Sequence, residues 1–161
     1  MDMSRKRTFR SFRQFWQELF FMLINFKQIK TTMQGGNISP AFRERLMLAV
    51  TSVNECRYCS YYHTKLALQE GISAEDAAKL LEGSVENCPP QEAAALLYAQ
   101  HWAECDGNPD SEAVHRMIGI YGPKTLHDID ILLHMIRMGN YSGNAVDMIR
   151  AKMPFAKKRP Q

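Results

Sequence analysis

Residues 39–63 read SPAFRERLMLAVTSVNECRYCSYYH, and this stretch decides the fold class. Ser39 followed by Pro40 predicts a helix start, because a serine side chain caps the first turn and proline fits the first helical position. One helical face should then run to about residue 53, formed by Phe42, Leu46, Ala49, Val50 and Val53. Asn54 and Glu55 predict a break, and a further helix follows over about residues 56–70.

The rest of the chain has the same helical periodicity. No alternating apolar and polar run is bounded by turn residues, so we predict an all-α, compact bundle of six to eight helices. Predicted helix boundaries lie at Gly35–Asn37, Gly71, Ser73, Gly83, Pro89–Pro90, Asp110–Ser111 and Tyr121–Pro123. Two pairs, Gly139–Asn140 and Gly143–Asn144, predict interruptions of the last helix, which should resume to about residue 153.

Length, composition and charge exclude several classes. A chain of 161 residues with 45% hydrophobic and 23% charged residues predicts one globular domain and excludes disorder as a whole. Residues 1–30 and 150–161 each carry a net charge of +5, whereas residues 31–149 carry −7. A nucleic-acid domain usually has its basic stripe on the fold itself, so we predict no nucleic-acid partner. Without a recognisable leader or membrane span, we expect a cytoplasmic location.

An aromatic helix is predicted over residues 9–30. Its main face is formed by Phe9, Phe12, Trp16, Leu19, Phe20, Leu23 and Phe26. We expect this face to pack into the core or into an oligomer interface. The alternative is a helix lying in a membrane interface, because basic and aromatic residues occur together.

The strongest chemical signal is Cys56-x-x-Cys59-x-x-x-His63. On a helix the three side chains share one face. Cys56 should lie at the helix start, where free backbone N–H groups and the helix dipole lower the pKa of a thiol. Cysteines three residues apart can also form a disulfide, and a histidine one turn later can move a proton. The spacing therefore predicts a two-cysteine redox centre in which one thiolate attacks and the other resolves.

Two alternatives use the same residues. A structural zinc site needs four ligands, of which the motif supplies three, so Cys88 or Cys105 would have to supply the fourth. Otherwise the two thiols simply pack in a core beside a hydrogen-bonded histidine. We predict no metal.

The motif also resembles a known family. Ser39-Pro40-x-x-x-Glu44, then Ala49-Val50, then Cys56-x-x-Cys59-x-x-x-His63, then Ala67 and Gly71, resembles the carboxymuconolactone decarboxylase family in its alkyl hydroperoxidase (AhpD-like) branch. The resemblance is strongest over residues 38–83. It implies an AhpD-like helical domain over residues 38–153, between a basic aromatic helix and linker (1–37) and a basic tail (154–161).

The resemblance implies roles for four residues. Cys59 would meet the hydroperoxide, Cys56 would resolve it, and His63 and Glu44 would move protons. Without the resemblance, the position of Cys56 at the helix start predicts instead that Cys56 is the more exposed nucleophile. If Glu44 is buried beside the thiols, its pKa should rise. The branch carries a second histidine where this chain has Tyr58, which can donate a hydrogen bond but is a poor base.

We therefore predict a thiol-dependent peroxidase, of peroxiredoxin type in its activity, or a disulfide reductase. Tyr58 and Tyr62 are further candidates for the substrate pocket. The resemblance implies a homo-oligomer, trimer or hexamer. We predict that an external dithiol donor resets the cysteine pair. No organic cofactor is implied, because sulfur carries both electrons. The alternatives are a lyase of the decarboxylase type and a structural or membrane-associated helical module.

Overall fold

The structure is a computed structural model that describes residues 6–152. The predicted basic tail over residues 154–161 lies outside the described residues. The described part contains seven α-helices and no strand, which confirms the predicted all-α class. The helices are α1 (Phe12–Ile24), α2 (Phe26–Met33), α3 (Pro40–Asn54), α4 (Arg57–Gln69), α5 (Ala74–Leu81), α6 (Pro90–Glu104) and α7 (Ser111–Lys152).

Local capping explains where the central helices begin and end. The Ser39 hydroxyl accepts a hydrogen bond from the Phe42 amide at 3.2 Å, with Pro40 at the first helical position, as predicted. Helix α3 ends at Asn54, the next residue Glu55 has a left-handed backbone (φ 54°), and the chain turns at once into α4. Helix α4 ends in a Schellman motif, in which the Ile72 amide donates to the Ala67 carbonyl at 3.0 Å behind Gly71.

Helix α3 is the centre of the molecule and packs against α4, α5, α6 and α7. Its core side chains include Leu46, Leu48 and Val50, each fully buried. A helix surrounded on all sides is apolar around most of its circumference, so a polar residue on it must find a partner inside the protein. Glu44 is such a residue.

The N-terminal segment differs from its prediction. It forms two helices, α1 and α2, broken at Asn25, whose side-chain amide donates to the Phe21 carbonyl at 2.9 Å. The aromatic face of α1 is not part of the core, because Phe12 is 73% and Phe20 63% exposed. The core interpretation of this face is therefore wrong.

Buried polar contacts, rather than that face, attach α1 and α2 to α7. Glu18 is buried, pairs with Arg137 and accepts a hydrogen bond from His134 Nδ1 at 2.9 Å. Burial alone would raise the pKa of Glu18, but these contacts outweigh it and lower the pKa. Asp128 of α7 likewise accepts hydrogen bonds from Gln28, Thr32 and Asn37. Burying the Glu18 carboxylate against α7 orients α1 with its aromatic side outward.

The predicted interruptions of the last helix are wrong. Helix α7 breaks at Gly122 (φ 75°, ψ 161°), as expected, but it continues without a break through Gly139–Asn140 and Gly143–Asn144. Both asparagines are fully buried and hydrogen-bonded, so tertiary contacts override their weak helix propensity. Within residues 6–152, no helix is both long enough and apolar enough to cross a bilayer.

Candidate active site

Cys56 is the N-cap residue of α4. Its backbone is extended (φ −86°, ψ 104°), and its Sγ accepts a hydrogen bond from the Cys59 amide at 3.3 Å. The two sulfurs lie 2.6 Å apart and share a hydrogen bond, and both cysteines are free. The turn between α3 and α4 therefore brings the pair within bonding reach without a change in the backbone.

The two thiols differ in acidity. The pKa of Cys56 is lowered to about 7, because the Cys59 thiol donates to the thiolate and the Cys59 and Tyr58 amides add to this, against the effect of burial. The pKa of Cys59 is raised, because its hydrogen bond to Cys56 and its burial both disfavour a second negative charge. Of the two thiols, Cys56 is therefore the one that ionises more readily, as its position at the helix start predicts.

The more acidic thiol is the less accessible one. Cys56 is completely buried, so the expectation that it is the more exposed thiol is wrong. Helix α7 covers it: a Cβ built on Gly143 would lie 2.7 Å from Cys56 Sγ. Cys59 is half-buried and lines a cavity of about 630 Å³. A molecule in that cavity meets Cys59 and not Cys56.

Glu44 and His63 form a pair beside the same cavity. His63 Nδ1 lies 2.8 Å from Glu44 Oε2, and Arg43 Nε donates to Glu44 Oε1 at 2.9 Å. Burial would raise the pKa of Glu44, but the hydrogen bonds from His63 and Arg43 outweigh it, so the pKa is lowered. The expected rise is therefore wrong. An ionised Glu44 can only accept, so His63 Nδ1 carries a hydrogen and donates it to Glu44.

The cavity brings together five of the six predicted site residues. Its walls come from α2, α3, α4 and α7: Met33, Arg43, Glu44, Met47, Tyr58, Cys59, Tyr62, His63, Leu66, Met135, Ile136, Gly139, Ser142, Gly143, Val146 and Arg150. Cys56 lies behind Cys59 and is not part of the wall. Within the described residues His63 makes no direct hydrogen bond to Cys59, a separation that substrate binding commonly closes.

Tyr58 is held by charged neighbours rather than by the thiols. Its hydroxyl accepts hydrogen bonds from Arg57 at 2.8 Å and Arg150 at 2.9 Å. Asp147, which is buried, pairs with Arg57 and with Lys6, each at 2.5 Å. The Tyr58 hydroxyl also hydrogen-bonds Asp147, so Tyr58 links the cavity to a cluster of fixed charges, and none of these contacts joins it to Cys56 or Cys59.

Sequence reasoning missed the residues that α7 contributes. Asn140 is buried, hydrogen-bonds to Cys59 and also joins Asn54 and Thr51 of α3. Gly143 leaves the space that the Cys56 sulfur occupies. The sequence does contain a signal for these residues, because Gly-Asn occurs at 139–140 and again four residues later at 143–144. On a continuous helix this spacing places both glycines on one face and both asparagines on a neighbouring face.

The zinc alternative finds no support in residues 6–152. No cluster of three or more His, Cys, Asp or Glu side chains there could hold a metal ion. Cys105 contacts His101, at 3.7 Å from Nε2, and does not approach the Cys56–Cys59 pair. Cys88 packs against the core.

The fold and the site define a class: an all-helical protein with a Cys-x-x-Cys pair at a helix start and a buried Glu–His pair beside it. Residues 18–101 match the model of the carboxymuconolactone decarboxylase family, and the chain belongs to that family. The match runs from within α1 to α6, so it includes Glu44, Cys56, Cys59 and His63 but not α7. No curated protein and no solved structure matches the chain.

Proposed function

We propose that the protein is a thiol peroxidase that reduces an organic hydroperoxide with the Cys56–Cys59 pair. One observation carries this: two free sulfurs lie 2.6 Å apart, and Cys59 alone opens on a cavity that His63 and Glu44 also line. The same pair suits reduction of a disulfide, in which a substrate sulfur takes the place of the peroxide oxygen.

The first step is attack by Cys59 on the outer peroxide oxygen. The Cys59 proton passes to His63 Nε2, the sulfur–oxygen bond forms and the oxygen–oxygen bond breaks. The alkoxide takes up the proton and leaves as the alcohol, and Cys59 becomes a sulfenic acid. Glu44 holds the charged imidazole through Nδ1, so it orients the base and stabilises its cation.

The second step uses the acidity of Cys56. Its thiolate, 2.6 Å away, attacks the Cys59 sulfur, the sulfur–oxygen bond breaks, and hydroxide leaves and takes a proton from solvent to become water, which gives the Cys56–Cys59 disulfide. An external dithiol then attacks the accessible Cys59 sulfur and expels Cys56, whose low pKa makes it the better leaving group. The dithiol supplies two electrons and two protons. A reducing cytoplasm would maintain such a donor.

The test is a thiol map. Reduced protein is treated with one equivalent of an alkyl hydroperoxide and alkylated, and the blocked cysteines are identified by mass spectrometry. We expect a Cys56–Cys59 disulfide with Cys88 and Cys105 free. Cys56→Ser should stop at a trappable sulfenic acid on Cys59, while Cys88→Ser serves as the matched control and should behave like the wild type.

Other results would overturn the proposal. Four thiols that remain alkylatable would exclude peroxidase activity toward that hydroperoxide, and full turnover by Cys59→Ser would exclude Cys59 as the residue that attacks it. A sulfenic acid trapped on Cys56 in Cys59→Ser, at the wild-type rate, would reverse the two roles. The decarboxylase-type lyase remains the alternative, and it requires an activity that survives replacement of both cysteines.

A further inference from the structure

The cavity beside Cys59 has an apolar body. Six of its wall residues are aliphatic or thioether side chains, namely Met33, Met47, Leu66, Met135, Ile136 and Val146. Its volume of about 630 Å³ lies in the range of pockets that enclose small organic ligands, roughly 300–1,000 Å³. Flexible methionines accommodate a long chain of variable shape. A small polar peroxide would leave most of this surface unused.

Of the two arginines on the cavity wall, Arg150 has no carboxylate partner among the described residues. Arg43 pairs with Glu44, and Arg57, next to the cavity, shares the Asp147 carboxylate with Lys6. Arg150 pairs with no Asp or Glu within residues 6–152, and it is exposed where the wall reaches solvent. A guanidinium left without an anion beside an apolar cavity is suited to an anionic group of the ligand.

Tyr58 fixes the position of that cation. The Arg150 guanidinium donates one hydrogen bond to the Tyr58 hydroxyl at 2.9 Å and lies 6.0 Å from the centre of the ring. A guanidinium has five N–H donors in a planar fork, so donors remain for a carboxylate. Tyr58 is in turn held by Arg57, at 2.8 Å. The side chain at position 58 thus serves to orient Arg150 rather than to move protons.

We propose that the substrate is the hydroperoxide of a long-chain carboxylic acid, whose carboxylate binds Arg150 while its apolar chain fills the cavity and brings the peroxide to Cys59. This inference rests on the proposed function. The reaction is the one described above, and the acid leaves as the corresponding hydroxy acid. Arg150 determines specificity and Tyr58 is a positioning residue.

The test compares an acid with its ester. We would measure kcat/KM for linoleic acid hydroperoxide and for its methyl ester, both below their micellar concentrations. The wild type should prefer the acid by about tenfold, the size expected for one charge-assisted contact. Arg150→Gln should lower the ratio of acid to ester to about one, mainly through KM, and Arg150→Lys should restore part of it. Arg116→Gln, an exposed arginine on another part of α7, is the matched control and should keep the ratio.

A binding measurement separates this inference from the peroxidase proposal. Laurate and dodecanol carry no peroxide, so calorimetric titration reports the pocket alone. We expect laurate to bind the wild type more tightly than dodecanol, and Arg150→Gln to remove the difference. If the protein reduces neither hydroperoxide but still prefers laurate through Arg150, the peroxidase proposal fails, while the proposal that the cavity binds long-chain carboxylic acids stands. Equal kcat/KM for acid and ester, or a laurate preference that survives Arg150→Gln, would overturn the ligand class.

Discussion

Two glycines of α7, four residues apart, differ in what they touch. A Cβ on Gly143 would lie 2.7 Å from Cys56 Sγ, whereas a Cβ on Gly139 would meet nothing within 4 Å. Cys56 is buried and cannot move aside, so Gly143→Ala should destabilise the fold by about 1–3 kcal/mol. Gly139→Ala is the matched control and should be neutral or stabilising by up to about 1 kcal/mol, because alanine favours a helix. Urea unfolding measures both.

The thiols supply a second readout for the same pair of variants. Gly143→Ala should slow formation of the Cys56–Cys59 disulfide, because the added methyl group displaces the sulfur from its partner. Equal stability and equal rates in the two variants would show that α7 does not press on the thiol pair.

Glu44 links the site to the pH dependence of stability. Its pKa is held below the ordinary 4.5, because the hydrogen bonds from His63 and Arg43 outweigh burial. The ionised carboxylate therefore stabilises the fold above pH 4.5, and this contribution is lost as the pH falls through the lowered pKa. We expect Glu44→Gln to cost about 1–3 kcal/mol at pH 7 and progressively less at acid pH.

Denaturant unfolding of both proteins across the acid range measures this difference. Glu82→Gln, an exposed glutamate, controls for the change of net charge. A cost for Glu44→Gln that is the same at every pH would mean that the carboxylate is not ionised in the folded protein. The variant should also slow Cys59 oxidation, because the His63 base loses its anionic partner.

At the scale of the elements, the start of α4 depends on a thiol as its cap. The Cys56 sulfur accepts the amide of Cys59 at 3.3 Å, a bond that a serine hydroxyl can replace and a methyl group cannot. Cys56→Ala should therefore be less stable than Cys56→Ser by about 1 kcal/mol. Both variants should be unable to form the disulfide. Thermal unfolding distinguishes them, and equal midpoints would assign the helix start to tertiary packing alone.

Some helix boundaries could be predicted from the sequence and others could not. Local chemistry predicted the boundaries at Ser39, Gly71 and Gly122, because capping and left-handed backbones act within a few residues. It failed at Asn140 and Asn144. Their amides are bonded to α3, to residues about 90 positions away, and no local signal contains those partners.

At the scale of the whole molecule, the outward face of α1 predicts association. Phe12, Trp16, Phe20, Leu23 and Ile24 are each more than half exposed, and monomeric proteins rarely expose a contiguous apolar patch of this kind. We expect a homo-oligomer in which a second copy covers this face. Phe20→Glu should shift the protein to a smaller species in light scattering. Ile120→Glu changes another apolar residue that is more than half exposed, on α7; it is the control and should not shift the protein to a smaller species. A monomeric wild type would contradict the prediction.

The sequence by itself determined the all-helical class, the cap at Cys56 and the candidate set of Glu44, Cys56, Cys59 and His63, because helical period, capping and motif spacing are local properties. Only the tertiary structure decided which thiol is accessible. Helix α7 buries Cys56 under Gly143 and leaves Cys59 facing the cavity. It also decided the sign of the Glu44 pKa shift, because desolvation and hydrogen bonding oppose each other and only the actual partners, His63 and Arg43, settle the balance.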